Sequence, residues 1–469
     1  VPPSRLHRLL AEGRAQLRLA GPIILSQVAQ VLAGLVDTVM SGQAGAREQA
    51  VVGIGVALWV PVFLFLMNVV QSLSPIVAHH FGAGDHRAVV RDTQDGVWLA
   101  AWSGALPLAL VPFAPAVLEF AGIDAALAAR TGVFLWGIGL GLPAAMVFRA
   151  LSFYSASLNH TRPMMVLALL GLGVNAALND VLIHGRLGLP AMGGAGCGWA
   201  TGIGMWVGLA AFAAWTARSR AYAAWYLWRD WRRPRWEAQK RLLRLGLPMG
   251  AAGLAESAAF SSVAVLVGRF GAVQIAAHQV AINFAAMVFM LPLGLSAAMA
   301  VRIGHALGAG DARDARHVAW TGMAIAVVFA LAAMGPIFGL RHLVAAVYSN
   351  DDQVRALAAQ LLLFASAWIL FDATQVCAMG ALRGYKVTFA PMLMMLLAFW
   401  GVGVPVGTWL GWHGVGGSGP MKVQGFWIGL VAGLVTVSVG LVALLRHAAD
   451  RAVRDEASRR AQARAAAAT

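Results

Sequence analysis

Residues 75–87 read PIVAHHFGAGDHR, and residues 301–313 read VRIGHALGAGDAR. At a constant offset of 226, His79 pairs with His305, Gly82-Ala83-Gly84-Asp85 with Gly308-Ala309-Gly310-Asp311, and Arg87 with Arg313. The same offset pairs Pro22 with Pro248, Gly42 with Gly268 and Gly45 with Gly271, without a gap. A lone glycine match means little in a chain with 53 glycines, but GAGD recurring after the second apolar stretch of each half marks an internal duplication.

The sequence around these repeats is that of a chain dissolved in lipid. It is 59% hydrophobic and only 12% charged over 469 residues. Apolar stretches recur at 18–41, 50–77, 96–117, 131–155, 163–184, 195–217, 242–267, 276–304, 317–340, 356–381, 389–411 and 425–446. About 20 residues at ~1.5 Å rise cross a ~30 Å hydrocarbon core, so each stretch is long enough to span. Pro and Gly occur throughout and no period-two alternation is sustained, which disfavours a closed β-barrel. The expected fold is therefore an all-α membrane protein of twelve transmembrane helices. The first stretch lacks a short apolar region with a cleavage pattern, so it is read as helix one and not a signal peptide.

Lys and Arg give the orientation. With the amino terminus inside, about 27 of these residues fall on the inner side and about seven outside, leaving Arg149 within a span. The +15 formal charge thus reads as topology and not as a nucleic-acid surface. Six spans per half is even, so the two six-helix lobes run in the same direction, related by a pseudo-twofold axis along the membrane normal. The chain divides into an amino lobe (1–217), a basic cytoplasmic linker (218–241), a carboxy lobe (242–446) and a cytoplasmic tail (447–469). An inner-membrane location with both termini cytoplasmic follows.

Acidic groups inside hydrocarbon cost ~3 kcal/mol on insertion scales and so mark candidate functional positions. Three are present: Asp37 in VDTVM, Glu256 in GLAESAAF and Asp372 in LFDATQ. Across the repeat Asp37 faces Val263 and Glu256 faces Gln30, so neither charge is dictated by symmetry. Asn175 and Asn179, four residues apart, share one helix face, and Thr201 in the next span is placed to join them in ligating a cation. Helix-to-helix hydrogen bonding is the competing explanation for all of these groups. Trp368, one turn before Asp372, is a candidate to cover a cation or stack on an aromatic substrate, with core packing as the alternative.

Other chemistry is missing. Three lysines occur and none follows a glycine, so the phosphate-cradling GxxxxGK[ST] loop is absent. Gly137, Gly139 and Gly141 lie in an apolar span with no preceding strand, which fits close helix approach better than a dinucleotide site. HExxH is absent, and Cys197 and Cys377 have no metal-like partner spacing. The chain is read as a non-enzyme without a cofactor.

The ordered motifs VDTVMSG, LWVPVFLF, LSPIVAHHFGAGD, AES, AAHQVAINFAAMVFMLPLGLSAA and FDATQ resemble the multidrug and toxic compound extrusion (MATE) family, in its NorM-like branch. The likeness covers roughly residues 15–446. It implies a cation-coupled efflux antiporter that exports drugs and dyes, often cationic and aromatic, by alternating access driven by Na⁺ or H⁺. By this resemblance Asp37 is the amino-lobe carboxylate with Asn175, Asn179 and Thr201 as polar partners. Glu256 and Asp372 are the carboxy-lobe cation pair, candidate ligands of Na⁺. Trp368 stands where the family often has Tyr, which removes a hydroxyl ligand. Membrane lipids, drugs and the coupling ion are the expected partners, with no nucleic acid and a monomeric working unit. A lipid-linked precursor flippase of similar architecture and a membrane-embedded enzyme are the alternatives. The orientation has a direct check: a fluorescent-protein fusion at the carboxy terminus is expected to fluoresce, while an alkaline phosphatase fusion there stays inactive; the reverse pattern would overturn the inside assignment.

Overall fold

The computed structural model describes residues 5–414 and 419–468. Residues 1–4 and 469, at the ends of the first and last segments above, and 415–418 in the carboxy lobe lie outside the described residues. Twelve helices among the described residues are long and apolar enough to cross a membrane. They are α1 (His7–Ala44), α2 (Ala46–Gly82), α3 (His86–Phe120), α4 (Ala125–Ser157), α5 (Arg162–His184), α6 (Gly194–Arg218), α7 (Trp236–Gly268), α8 (Ala272–Gly308), α9 (Ala312–Tyr348), α10 (Asp352–Gly384), α11 (Phe389–His413) and α12 (Lys422–Ala466). Large apolar side chains such as Val265, Met287 and Val328 are about two-thirds exposed, a surface suited to lipid tails.

The repeated GAGD is a helix–turn–helix device. Gly84 and Gly310 take φ +71° and +73°, where a side chain is strained. The Asp85 carboxylate accepts the Ala88 amide at 3.0 Å, and Asp311 accepts the Asp314 amide at 2.8 Å. Each Asp caps the next span, supplying one of the donors' partners that a helix start lacks. His79 and His80 belong to the helical segment Leu73–Gly82, since the turn begins only at Ala83.

The two halves then diverge. In α2 the helix is interrupted between Val70 and Leu73, whereas α8 runs unbroken through Pro292. In α3 it tightens to 3₁₀ turns around Pro107 and Pro112. In α11 a π-helical turn at Leu397–Gly403 takes up extra residues that α5 does not have.

Contacts group the chain into two units: Gly21–Gly250, and Ala251–Thr469 together with Val1–Ala20. In the first unit α4 and α6 meet through glycines. A Cβ on Gly137 would lie 2.5 Å from the Trp199 nitrogen, and one on Gly141 2.6 Å from the Gly202 Cα. The GIGLG run therefore serves close helix packing, which in lipid substitutes for the missing hydrophobic drive between helices. The basic segment 218–241 packs onto this unit. Gln94 donates to the Leu227 carbonyl at 2.9 Å, Arg235 pairs with Asp95 at 2.5 Å and Arg241 with Asp92 at 2.8 Å, both aspartates being buried. Tyr222 in that segment donates to Ser155 at 2.9 Å, and burial pushes its phenol up to about 12, so it remains a neutral donor at ordinary pH.

The second unit buries Leu295, Met299, Leu361, Leu362, Phe426 and Trp427 in its core. The start of α1 belongs here: Arg302 holds Glu12 at 2.6 and 2.5 Å, and Gln16 donates to the Val318 carbonyl at 2.9 Å. Past Leu445, α12 continues as an amphipathic helix on the start of α9. There Glu456 accepts the Ala312 amide at 2.5 Å beside the second GAGD turn, and Arg316 pairs with Asp450 at 3.1 Å. The packing of α4 on α6 is expected to fail under Gly141→Leu, lowering stability by about 1–3 kcal/mol through forced separation of the helices. Gly171→Leu, at a glycine with no atom within 4 Å of its would-be Cβ, should be near neutral; unfolding in mixed micelles compares the two.

Candidate functional site

The four amino-lobe residues singled out from the sequence form one closed ring inside the first unit. Asn179 donates its amide to Asp37 Oδ1 at 2.6 Å and to Asn175 Oδ1 at 3.1 Å. Asn175 donates to the Thr201 hydroxyl at 3.2 Å, and that hydroxyl donates to Asp37 Oδ2 at 3.3 Å. Three helices meet here: α1 brings the charge, α5 both amides and α6 the hydroxyl. Cys197, a turn before Thr201, lies with its sulfur 3.9 Å from the Asp37 carbonyl, a packing contact of a free thiol. Asn175 and Asn179 are buried while Asp37 is half-buried.

The ring leaves one group over. Asn179 Oδ1 is buried and has no hydrogen-bond partner. Rotating the amide would point this oxygen at the Asp37 carboxylate, so the electrostatics fix the orientation as it stands. Only a cation at Asp37 would favour the reversed amide, whose carbonyl oxygen would then join the carboxylate as a hard oxygen donor; until then the unpaired buried acceptor costs about 1–3 kcal/mol.

The second unit repeats the theme with other residues. Glu256 of α7 accepts the Gln375 amide of α10 at 3.0 Å. Gln375 is one turn beyond the buried Asp372, so Glu256 is held one helical turn along α10 from the second carboxylate. The Gln375 amide also reaches the Met395 sulfur at 3.4 Å, and Gln375 Oε1 is again a buried oxygen without a partner. Met395 thus turns inward on α11, whereas its neighbours Leu393, Leu396 and Leu397 are exposed. Among the described residues no cluster of three or more His, Cys, Asp or Glu has metal-binding geometry.

Trp368, one turn before Asp372 on α10, is only 4% exposed. Its ring packs between Phe260, at 5.2 Å between centroids, and Trp427, at 5.4 Å. The aromatic stack it makes is therefore with protein. Gln375 was not singled out from the sequence, although its spacing of three from Asp372 in FDATQ is the signal that places it on the same face. Arg149, noted from the sequence only as the basic residue left within a span, meets Gln27 and Gln30, more than a hundred residues away.

The MatE family model matches residues 22–181 and again 248–409, once in each half and starting at the paired prolines. The chain belongs to the MatE family. This MATE chain is 40% identical over 458 residues to "Multidrug resistance protein PmpM" of Pseudomonas aeruginosa, covering 97% of this chain and 95% of that relative. It is 38% identical over 447 residues to "Probable multidrug resistance protein NorM" of Chromobacterium violaceum, covering 94% and 95% respectively. Its fold matches the "Crystal structure of MATE in the bent conformation" with a TM-score of 0.85 at 18% identity, covering 97% of this chain and 99% of the other. Members of this family are transporters and not enzymes, and the chain is a multi-pass membrane protein of that class.

The Asp37 ring is expected to behave as a coupled unit. In a double-mutant cycle of Asp37→Asn and Asn179→Ala, read by unfolding in mixed micelles, the coupling should be about 1–2 kcal/mol. That exceeds the ~0.6 kcal/mol average of intramembrane hydrogen bonds because the acceptor is charged. A coupling near zero would mean that the 2.6 Å contact does not hold the carboxylate.

Proposed function

We propose that this MATE transporter is a cation-coupled multidrug efflux antiporter that exports amphipathic, often cationic aromatic compounds in exchange for Na⁺ or H⁺. The observation that carries the proposal is the pairing, in each unit, of an intramembrane carboxylate with an amide whose carbonyl oxygen has no partner: Asp37 with Asn179, and Glu256 with Gln375. The names of the PmpM and NorM relatives support the drug-resistance reading.

The mechanism follows from charge. A carboxylate in a span is expensive until a cation or proton neutralises it, so occupancy changes which arrangement of the helices is favoured. Asp37, with Asn175, Asn179 and Thr201, serves as one exchange site, and Glu256 with Asp372 and Gln375 as the other. If ion binding at either weakens drug binding, drug must weaken ion binding by the same factor, which is the requirement for exchange. An inwardly directed Na⁺ or H⁺ gradient sets the direction of such an exchange as export.

Vesicles reconstituted with the purified protein test this under separately imposed Na⁺ and pH gradients. Asp37→Asn, and Glu256→Gln combined with Asp372→Asn, are each expected to lower gradient-driven ethidium movement by at least about tenfold while the elution profile of the folded protein is kept. Unchanged transport in both variants would sink the assignment. Movement of a fluorescent lipid-linked precursor instead of ethidium would replace it with the flippase reading.

A further inference from the structure

Among the buried charged side chains of the first unit's described residues, Asp92 and Asp95 dock the basic segment, and Arg149 is left without an ion pair and without a part in the proposed exchange. It lies within α4, is 8% exposed, and takes no part in the ion pairs formed among the described residues. Its guanidinium donates through Nη1 to Gln27 Oε1 at 3.4 Å and through Nη2 to Gln30 Oε1, and stands 5.7 Å from the centre of the Phe63 ring. Gln30 in turn donates its amide nitrogen to the Ser26 carbonyl at 3.1 Å, which fixes its oxygen toward the arginine. Two carbonyl dipoles and a ring face therefore orient the cation, but none of them neutralises it.

The repeat makes the contrast sharp. Gln30 and Glu256 occupy matching positions on the first span of each half, 226 residues apart. In the second unit the fourth span's Gln375 donates an amide to the carboxylate of Glu256; in the first unit the fourth span's Arg149 donates a guanidinium to the amide of Gln30. The same helix-to-helix link thus carries a net negative charge in one unit and a net positive charge in the other. A guanidinium has five N–H donors, of which the glutamines take two, so three remain, enough for a fork on a carboxylate. Asp37 stands seven residues beyond Gln30 on α1, two turns and roughly 10 Å along the same face. One helix face therefore addresses a cation-seeking carboxylate and an anion-seeking guanidinium at a fixed separation.

We propose that Arg149, oriented by Gln27 and Gln30 beside the Phe63 ring, is an anion-recognising subsite that receives the carboxylate of zwitterionic aromatic substrates. The proposal rests on the drug-export reading above and adds to it a residue that selects among substrates. Phe63 supplies an apolar ring next to the charge, which suits a carboxylate attached to an aromatic system better than a small inorganic anion.

The test uses the full chain in vesicles and three probes: norfloxacin, its methyl ester and ethidium. Wild type is expected to favour norfloxacin over the ester. Arg149→Gln should lower the ratio of kcat/KM for norfloxacin to that for ethidium by at least about tenfold, with Arg149→Lys recovering part of the loss. Gln30→Glu, which brings an internal carboxylate to the guanidinium at the position that holds Glu256 in the other half, should lower the same ratio with the arginine still in place. Equal losses for norfloxacin and ethidium would make Arg149 a structural residue and overturn the proposal, as would an unchanged ratio in Arg149→Gln. If wild type moves none of the three probes under either gradient, the drug-export reading itself falls, and this inference with it.

Discussion

Within the hydrocarbon there is no water to solvate a charge or an unpaired amide, and the arrangement of this transporter follows from that constraint. Each charge carried into a span has to be met by another span. Asp37 is met by α5 and α6, Glu256 by α10, and Arg149 by the glutamines of α1. The partners are neutral amides and a hydroxyl, which hold a charge in place without cancelling it. A carboxylate paired with arginine would be satisfied permanently; one held by asparagine still gains when a cation arrives. The choice of amide partners is thus what the proposed antiport requires of groups that are to exchange ions.

The duplication supplies the scaffold and the asymmetry supplies the chemistry. Turns such as Gly84-Asp85 and Gly310-Asp311 are retained because both halves need a left-handed residue and a helix cap at the same place. The interior positions owe nothing to that requirement. Position 263, the counterpart of Asp37, is a fully buried valine in the second unit's core, and Glu256 is matched by a glutamine. Under the proposed antiport, ion sites built from different residues in the two units would give each unit its own selectivity.

Much of the site was legible before any coordinates. Asn175 and Asn179 share a face by helical periodicity, and the cost of burying Asp37 demanded donors nearby, so their meeting with Thr201 was foreseeable. Trp368 was different: spacing placed it beside Asp372, but spacing does not tell an open ring from one packed between Phe260 and Trp427. The basic run at 218–241 reads as a solvated linker from composition, yet Asp92 and Asp95 of α3 dock it. Those partners lie more than a hundred residues away, and nothing local in either segment announces the other.

By itself, the sequence determined the solvent, the twelve spans, the internal repeat and the identity of the intramembrane charges. These follow from composition, periodicity and the price of charge in lipid, all of which are local or additive along the chain. Tertiary structure alone decided which amide faces which charge: that Asn179 gives both of its N–H groups away and leaves its carbonyl unused, that Gln375 holds Glu256, and that Arg149 meets glutamines instead of a carboxylate. Pairings of this kind depend on helix rotation and approach, set by small residues such as Gly137, Gly141 and Gly202 at remote crossings, and no single segment encodes them.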